Sequence, residues 1–137
     1  MKRVLSLVVA VVLTVSVLNV TWVYAIEPYE MQPNYIGVAT MKPGLTLNTG
    51  GLMTCTDNIE IKTGYTAKVV WSLQYQSNRN WISTQTWKDS NKKRMSLNKT
   101  VAVVSGRNYR LQTVATVYDA NGKLVETATK VSESIRT

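Results

Sequence analysis

Residues 66–76, Thr-Ala-Lys-Val-Val-Trp-Ser-Leu-Gln-Tyr-Gln, alternate in character. In an extended chain Val69, Trp71, Leu73 and Tyr75 fall on one face and Lys68, Ser72 and Gln74 on the other, which predicts a half-buried strand with a tryptophan at its centre. From residue 44 onward, similar runs recur at intervals of about ten residues, separated by turn residues: 45–48, 52–62, 66–76, 81–88, 94–104, 109–118 and 123–132. In the second run Met53, Cys55, Ile59 and Ile61 share a parity, and Asp57-Asn58 predicts a bulge or kink between them. In the fourth, Trp81 and Trp87 share a parity and face the same side if the strand is unbroken, with Ile82, Thr84 and Thr86 facing the other. Met95, Leu97, Val101 and Val103 point inward from the fifth. Asp119-Ala120-Asn121-Gly122 is a hairpin signal, because Asn-Gly supplies the positive φ that tight turns need. No segment carries a helical stripe of useful length.

Seven runs match an immunoglobulin-like sandwich, and three features sharpen the match. Trp71 lies on the third run, where that fold places its core tryptophan. Gly106-Arg107-Asn108-Tyr109 resembles the corner at which a tyrosine hydroxyl bonds back to the main chain before the sixth strand. Leu111, two residues on, stands where a disulfide-linked domain has its second cysteine, with Cys55 near the place of the first. The expectation is an all-β, immunoglobulin-like antiparallel β-sandwich of about seven strands over residues 44–137, with Trp71, Tyr109 and Leu111 in its core.

The chain before residue 44 reads differently. Lys2 and Arg3 precede an apolar run over 4–18, and Val23-Tyr24-Ala25 ends the segment, which predicts a signal peptide over 1–25 cleaved near Ala25. An uncleaved membrane anchor is the competing reading, but the run decays at Asn19, short of the roughly 20 apolar residues a spanning helix needs. The expected product is secreted, either extracellular or associated with the cell wall, with no stable membrane span after cleavage. Residues 26–43 hold Pro28, Pro33 and Pro43 with Tyr29 and Tyr35, an arm in which 36–39 can add a short edge strand.

Charge and cysteine narrow the partners. The sequence has 16 Lys and Arg against 8 Asp and Glu and a single cysteine. A basic exported chain favours anionic surroundings such as wall polymers, lipid head groups or acidic glycans, while charge for solubility alone is the bland alternative. No nucleic-acid-binding motif accompanies the charge, so no nucleic-acid partner is expected. Cys55 cannot form an internal disulfide; it is either a small buried hydrophobe or the site of an intermolecular bridge. With no histidine, the commonest general base and metal ligand is missing. A lone thiol without one makes no protease pair, the carboxylates Asp57, Glu60, Asp89, Asp119, Glu126 and Glu133 are scattered, and a calcium loop at Asp119 lacks its downstream acid. The chain is therefore not expected to be an enzyme, and no cofactor or metal is expected.

Aromatic and basic residues make the candidate binding surface. Tyr75, Trp81 and Trp87 are rings able to stack on sugar faces, and the basic turn Lys92-Lys93-Arg94 can supply anion contacts. On a continuous strand Trp81 and Trp87 lie roughly 20 Å apart, a span suited to an extended polymer; the alternative is that one of them packs in the core. Arg107 and Arg110 flank Tyr109, and Arg110 shares a face with Gln112 and Thr116, either as a polar binding strip or as solvated sheet surface. Asn98-Lys99-Thr100 fits an N-glycosylation pattern.

Together Trp71-Ser72-Leu73-Gln74, Trp81 with Trp87, Gly106-Arg107-Asn108-Tyr109-Arg110-Leu111 and the hairpin from Gly122 to Glu126 resemble a functionally uncharacterised family of small secreted β-sandwich proteins from clostridia and related Gram-positive bacteria. The resemblance spans about 44–132 and implies secretion, a β-sandwich and a Gram-positive host. It transfers no active-site residues. The expected role is a non-catalytic binding module for a cell-wall or extracellular anionic polymer or glycan. The alternative is a protein-interaction, adhesion or inhibitor module that binds another extracellular protein.

Overall fold

The alternating runs form strands, and each alternation sets which side of a sheet is buried. The computed structural model describes Asn34–Thr137; the expected signal segment 1–25 and the arm through Pro33 lie outside the described residues. The strands are β1 (Val38–Met41), β2 (Gly44–Asn48), β3 (Leu52–Ile61), β4 (Thr66–Ser77), β5 (Asn80–Ser90), β6 (Arg94–Ala102), β7 (Asn108–Tyr118), β8 (Leu124–Val131) and β9 (Ile135–Arg136). The seven expected runs are β2 to β8, and no helix occurs among the described residues.

All pairings are antiparallel and fall into two sheets. In the first, β3 is flanked on one side by β6 and on the other by β1 and β2 in succession. β1 covers the end of β3, from Val38 opposite Ile61 to Met41 opposite Ile59, and β2 covers its beginning, from Gly44 opposite Thr56 to Asn48 opposite Leu52. Pro43, which has no N–H for a ladder, lies in the gap. The second sheet runs β5-β4-β7-β8, with β9 also pairing with β7.

One apolar cluster joins the two sheets. Met53, Cys55, Ile59 and Ile61 of β3 and Met95 and Leu97 of β6 share it with Val69, Trp71 and Leu73 of β4 and Tyr109, Leu111 and Val117 of β7. The Tyr109 hydroxyl accepts the Val104 N–H at 2.9 Å, the corner expected from the Gly106–Tyr109 motif. Leu111 and Cys55 are fully buried, and Cys55 is a free thiol that burial pushes up to about 11 from an ordinary 9.0.

Two expectations about strand regularity are corrected. β3 has no bulge at Asp57-Asn58: its pairing with β6 runs unbroken through Asp57 opposite Leu97 and Asn58 opposite Ser96. Asp57 keeps the inward parity and is 1% exposed. A carboxylate can stay there because donors surround it. Its Oδ1 accepts the Lys42 N–H at 2.8 Å, and its Oδ2 accepts the Trp71 indole N–H at 3.0 Å and the Thr113 hydroxyl at 2.6 Å.

The irregularity lies in β5 instead. Leu73 pairs with Gln85 but its successor Gln74 pairs with Ser83, so Thr84 is an extra residue without an opposite number. A one-residue insertion reverses the faces of everything beyond it. Trp87 is opposite Trp71 and packs against the core, whereas Trp81 is opposite Gln76 on the outer side. The two tryptophans do not share a face.

The two ends of the described chain are tied in. β1 lies within the stretch expected as an arm, with Val38 and Met41 buried at 2% and 3% exposure. Glu126 on β8 accepts the N–H groups of Ile36 and Gly37 at 3.0–3.1 Å. Gly37 is required there, since a Cβ would lie 2.5 Å from Val117 Cγ1. At the other end Thr137 Oγ1 accepts the Arg107 N–H at 3.0 Å and donates to the Val104 carbonyl at 2.7 Å, which fastens β9 to the β6–β7 turn.

Candidate functional surface

Burying Ala67, Val69, Trp71 and Leu73 turns the alternate residues of β4, Lys68, Val70, Ser72, Gln74 and Gln76, to the outer face of the second sheet. The register brings β7 into line beside them: Gln74 opposite Arg110, Ser72 opposite Gln112, Val70 opposite Val114 and Lys68 opposite Thr116. On the other flank the bulge in β5 adds Trp81 to this face at one end, while Lys88, opposite Val70, joins it towards the other.

At the first end Arg110 is held from two sides. Its Nε donates to Gln74 Oε1 at 2.8 Å, and its guanidinium carbon lies 4.3 Å from the centre of the Trp81 ring. Gln74, itself only 7% exposed, passes the contact on, its Nε2 donating to Gln112 Oε1 at 3.0 Å and to Ser83 Oγ at 3.4 Å. Partial burial lowers the pKa of Arg110, yet a guanidinium starts so high that it stays charged. With Nε engaged, the two terminal nitrogens carry no hydrogen bond to the described residues and form an open planar fork. Asn108 donates to Gln76 at 3.3 Å in the next row, where Arg136 of β9 sits opposite Asn108.

Towards the other end Lys68 and Lys88 occupy diagonal positions on adjacent strands. They line a shallow open depression of about 430 Å³ with Val70, Asp89 and Ser90, and Lys68 Nζ lies 5.7 Å from the centre of the Tyr118 ring. The Asp89 carboxylate is spoken for, with Lys92 Nζ at 3.2 Å and the Ser90 N–H at 2.8 Å. The described outward positions of this sheet thus carry Lys68, Lys88, Arg110 and Arg136 and no carboxylate. The outer face of the first sheet is different: Thr54 bonds Thr100 at 3.0 Å, Ser96 bonds Asn58 at 3.0 Å, and Arg94 faces Glu60 at 3.8 Å.

The residues expected as one site are dispersed. Tyr75 is half-buried, its ring 6.2 Å from that of Tyr109 and covered by the Arg107 guanidinium at 4.1 Å. Trp81 lies on the outer face with Arg110, whereas Trp87 packs on the core. Lys92, Lys93 and Arg94 are exposed at the β5–β6 turn, at the opposite end of β5 from Trp81. Lys92 pairs with Asp89 and Arg94 with Glu60, and the Lys93 carbonyl accepts the Ile61 N–H. The basic turn therefore does not sit beside Trp81.

Sequence reading placed Arg110, Gln112 and Thr116 on one face, and the structure agrees. It missed Lys88, Gln76 and Asn108 as neighbours of that strip, and it missed Arg136 because the two-residue β9 has no periodic signal. Asp119, weighed as a calcium ligand, is committed to its own turn, its Oδ1 accepting the N–H groups of Asn121 and Lys123 at 2.9 Å. Among the described residues no three His, Cys, Asp or Glu side chains cluster as a metal site would need, and no helix is long and apolar enough to cross a membrane. Comparison of the chain with protein-family models, curated proteins and solved structures yields no match.

Proposed function

We propose that the protein is a secreted, non-catalytic binding module for an anionic polymer or glycan of the cell wall or extracellular space, built on an immunoglobulin-like sandwich. The observation that carries the reading is the outer face of β5-β4-β7-β8, where the described outward positions hold Lys68, Lys88, Arg110 and Arg136 and no carboxylate, the neighbouring Asp89 being paired with Lys92. Fixed positive charge of one sign on a sheet face attracts extended polyanions, and Trp81 beside Arg110 adds an aromatic surface. The sandwich assignment is supported by the strand order, by the Tyr109 hydroxyl bond and by Trp71 at the centre of β4. The export-like N-terminus and the resemblance to secreted clostridial proteins support the location.

Retention on immobilised acidic polysaccharides and wall polymers tests this. Binding should weaken with salt, as screening shortens the reach of surface charge, and Trp81→Ala and Arg110→Gln should reduce it. A protein that passes unretained over every acidic polymer at low salt overturns the reading.

A second reading, a module that binds another extracellular protein, draws on β6. Among the described residues Arg94–Ala102 pairs with β3 alone, and its other edge can take an added strand. A stoichiometric protein partner retained in the presence of competing glycan favours it over polymer binding.

A further inference from the structure

The outer face of the second sheet carries its positive charge at two separated places, and their chemistry differs. Arg110 is a planar fork, fixed by Gln74 on one side and Trp81 on the other, with both terminal nitrogens free of the described residues. Such a fork suits an oxyanion gripped by two parallel N–H donors. Lys68 and Lys88 instead flank an open depression of about 430 Å³, where two ammonium groups act as point charges and set no single orientation.

Along β4, Gln74, which holds Arg110, stands six positions from Lys68 and four from Val70, which Lys88 faces, distances of about 20 Å and about 13 Å at roughly 3.3 Å per residue. Between the fork and the depression lies the row of Thr86, Ser72 and Gln112, followed by the row of Val70 and Val114 in which Lys88 stands at the edge of the depression. Up to Lys88 that interval offers hydroxyl and amide contacts but no charge, and beside Lys88 the row adds the small apolar Val70 and Val114. It complements a polymer with hydroxyls and carbon–hydrogen faces between its anionic groups, and gives nothing to a backbone that is charged throughout, such as polyphosphate.

Resting on the binding role proposed above, we infer that the ligand is a linear acidic polysaccharide lying along β4, held at two anion subsites, the Arg110 fork and the Lys68/Lys88 depression. Its anionic groups must therefore span about 13–20 Å to engage both, the lower figure for Lys88 and the upper for Lys68. A fragment too short to bridge the subsites binds one at a time. A fragment that spans them gains the second contact as an intramolecular event, so affinity rises abruptly at the bridging length.

The test uses size-fractionated oligogalacturonates as probes, with polyphosphate matched in charge. Calorimetry or fluorescence titration should show weak binding of short fragments and a rise of about tenfold or more once the fragment bridges. Arg110→Lys keeps the charge and removes the fork; Lys68→Gln with Lys88→Gln empties the depression. Each variant should abolish the step in affinity with length while leaving short-fragment binding at the other subsite. Lys123→Gln, in the exposed β7–β8 turn, should leave the step in place. A smooth rise with charge, or an equal response to Lys123→Gln, overturns the two-subsite inference while the polymer-binding role stands. Polyphosphate binding as tightly as the bridging oligogalacturonate overturns the polysaccharide assignment. Failure to bind either probe or any other acidic polymer overturns the binding role itself.

Discussion

Trp71 on β4 donates its indole N–H to the buried carboxylate of Asp57 on β3, across the space between the two sheets, at 3.0 Å. Asp57 Oδ2 also accepts the Thr113 hydroxyl of β7, and its Oδ1 holds the Lys42 N–H between β1 and β2. A single carboxylate thus ties together both sheets and the interrupted edge of the first. Trp71→Ala is expected to cost about 3–5 kcal/mol, the range for truncating a buried large aromatic. Trp71→Phe keeps most of the packing but removes one donor from a buried charge, an expected loss of about 1–3 kcal/mol. Asp57→Ala strands the donors of Trp71 and Thr113 and should cost at least as much as Trp71→Phe. Denaturant midpoints for the three variants check the order; a loss under about 1 kcal/mol for Trp71→Ala contradicts its place in the core.

The bulge at Thr84 makes a sharper prediction, because it concerns direction. Deleting Thr84 removes only the extra residue, so an unbroken ladder should form in which Ser83 still faces Gln74 and Trp81 still faces Gln76 on the outer side, away from Trp87. Arg110 then keeps the Trp81 ring beside it, and retention on acidic polymers should stay near that of the wild type, unlike that of Trp81→Ala. Circular dichroism establishes that the sheet survives. A folded deletion variant whose retention falls as far as that of Trp81→Ala would contradict this account of the bulge.

Cys55 gives a pH effect whose sign follows from burial. The folded thiol ionises near 11 and the free one near 9.0. The raised folded value means that stability from keeping the thiol neutral is complete below pH 9 and is lost as pH rises from about 9 through 11, where the unfolded chain releases its proton first. The wild type should lose stability more steeply over that window than Cys55→Ala, measured as the difference between their unfolding midpoints. At pH 8 the native thiol should also resist Ellman-type reagents until the protein unfolds.

Gly37 is constrained by space. Because an added Cβ would meet Val117 Cγ1 at 2.5 Å and the Tyr65 ring at 3.1 Å, Gly37→Ala must push apart short, packed side chains. A loss of about 1–3 kcal/mol is expected, read as a lower thermal midpoint. Gly122→Ala strains a turn with φ near +78° but has open space around it, so it separates backbone strain from crowding.

The sequence made the strands legible wherever packing and alternation agree. Trp71, Leu73, Tyr109 and Leu111 show their inward parity directly, and the Asn-Gly turn closes β7 onto β8 as its chemistry requires. Legibility failed where an opposed pairing decides the matter. A polar residue at core parity looks like a break until its donors are known, and Asp57 draws its donors from Lys42, Trp71 and Thr113, distant in sequence. The bulge in β5 has no sequence mark, since Ser83, Thr84 and Gln85 are all compatible with a plain edge strand. That unmarked residue decided the candidate site, for it separated Trp81 from Trp87 and set Trp81 beside Arg110. Arg110 itself was legible as an outward residue, but not its clamp.

Glu126 belongs to β8 in the second sheet, yet it holds the main chain at Ile36 and Gly37 immediately before β1 enters the first. Tension applied to the chain ahead of Asn34 therefore reaches that carboxylate before it reaches β1. The pull is shared between both layers from the outset, and β1 cannot be peeled from β3 until the hold of Glu126 gives way. In a molecule tethered through its N-terminal side, that contact acts, together with the Lys62 ammonium on the Tyr35 carbonyl at 2.8 Å, as a mechanical clasp ahead of β1.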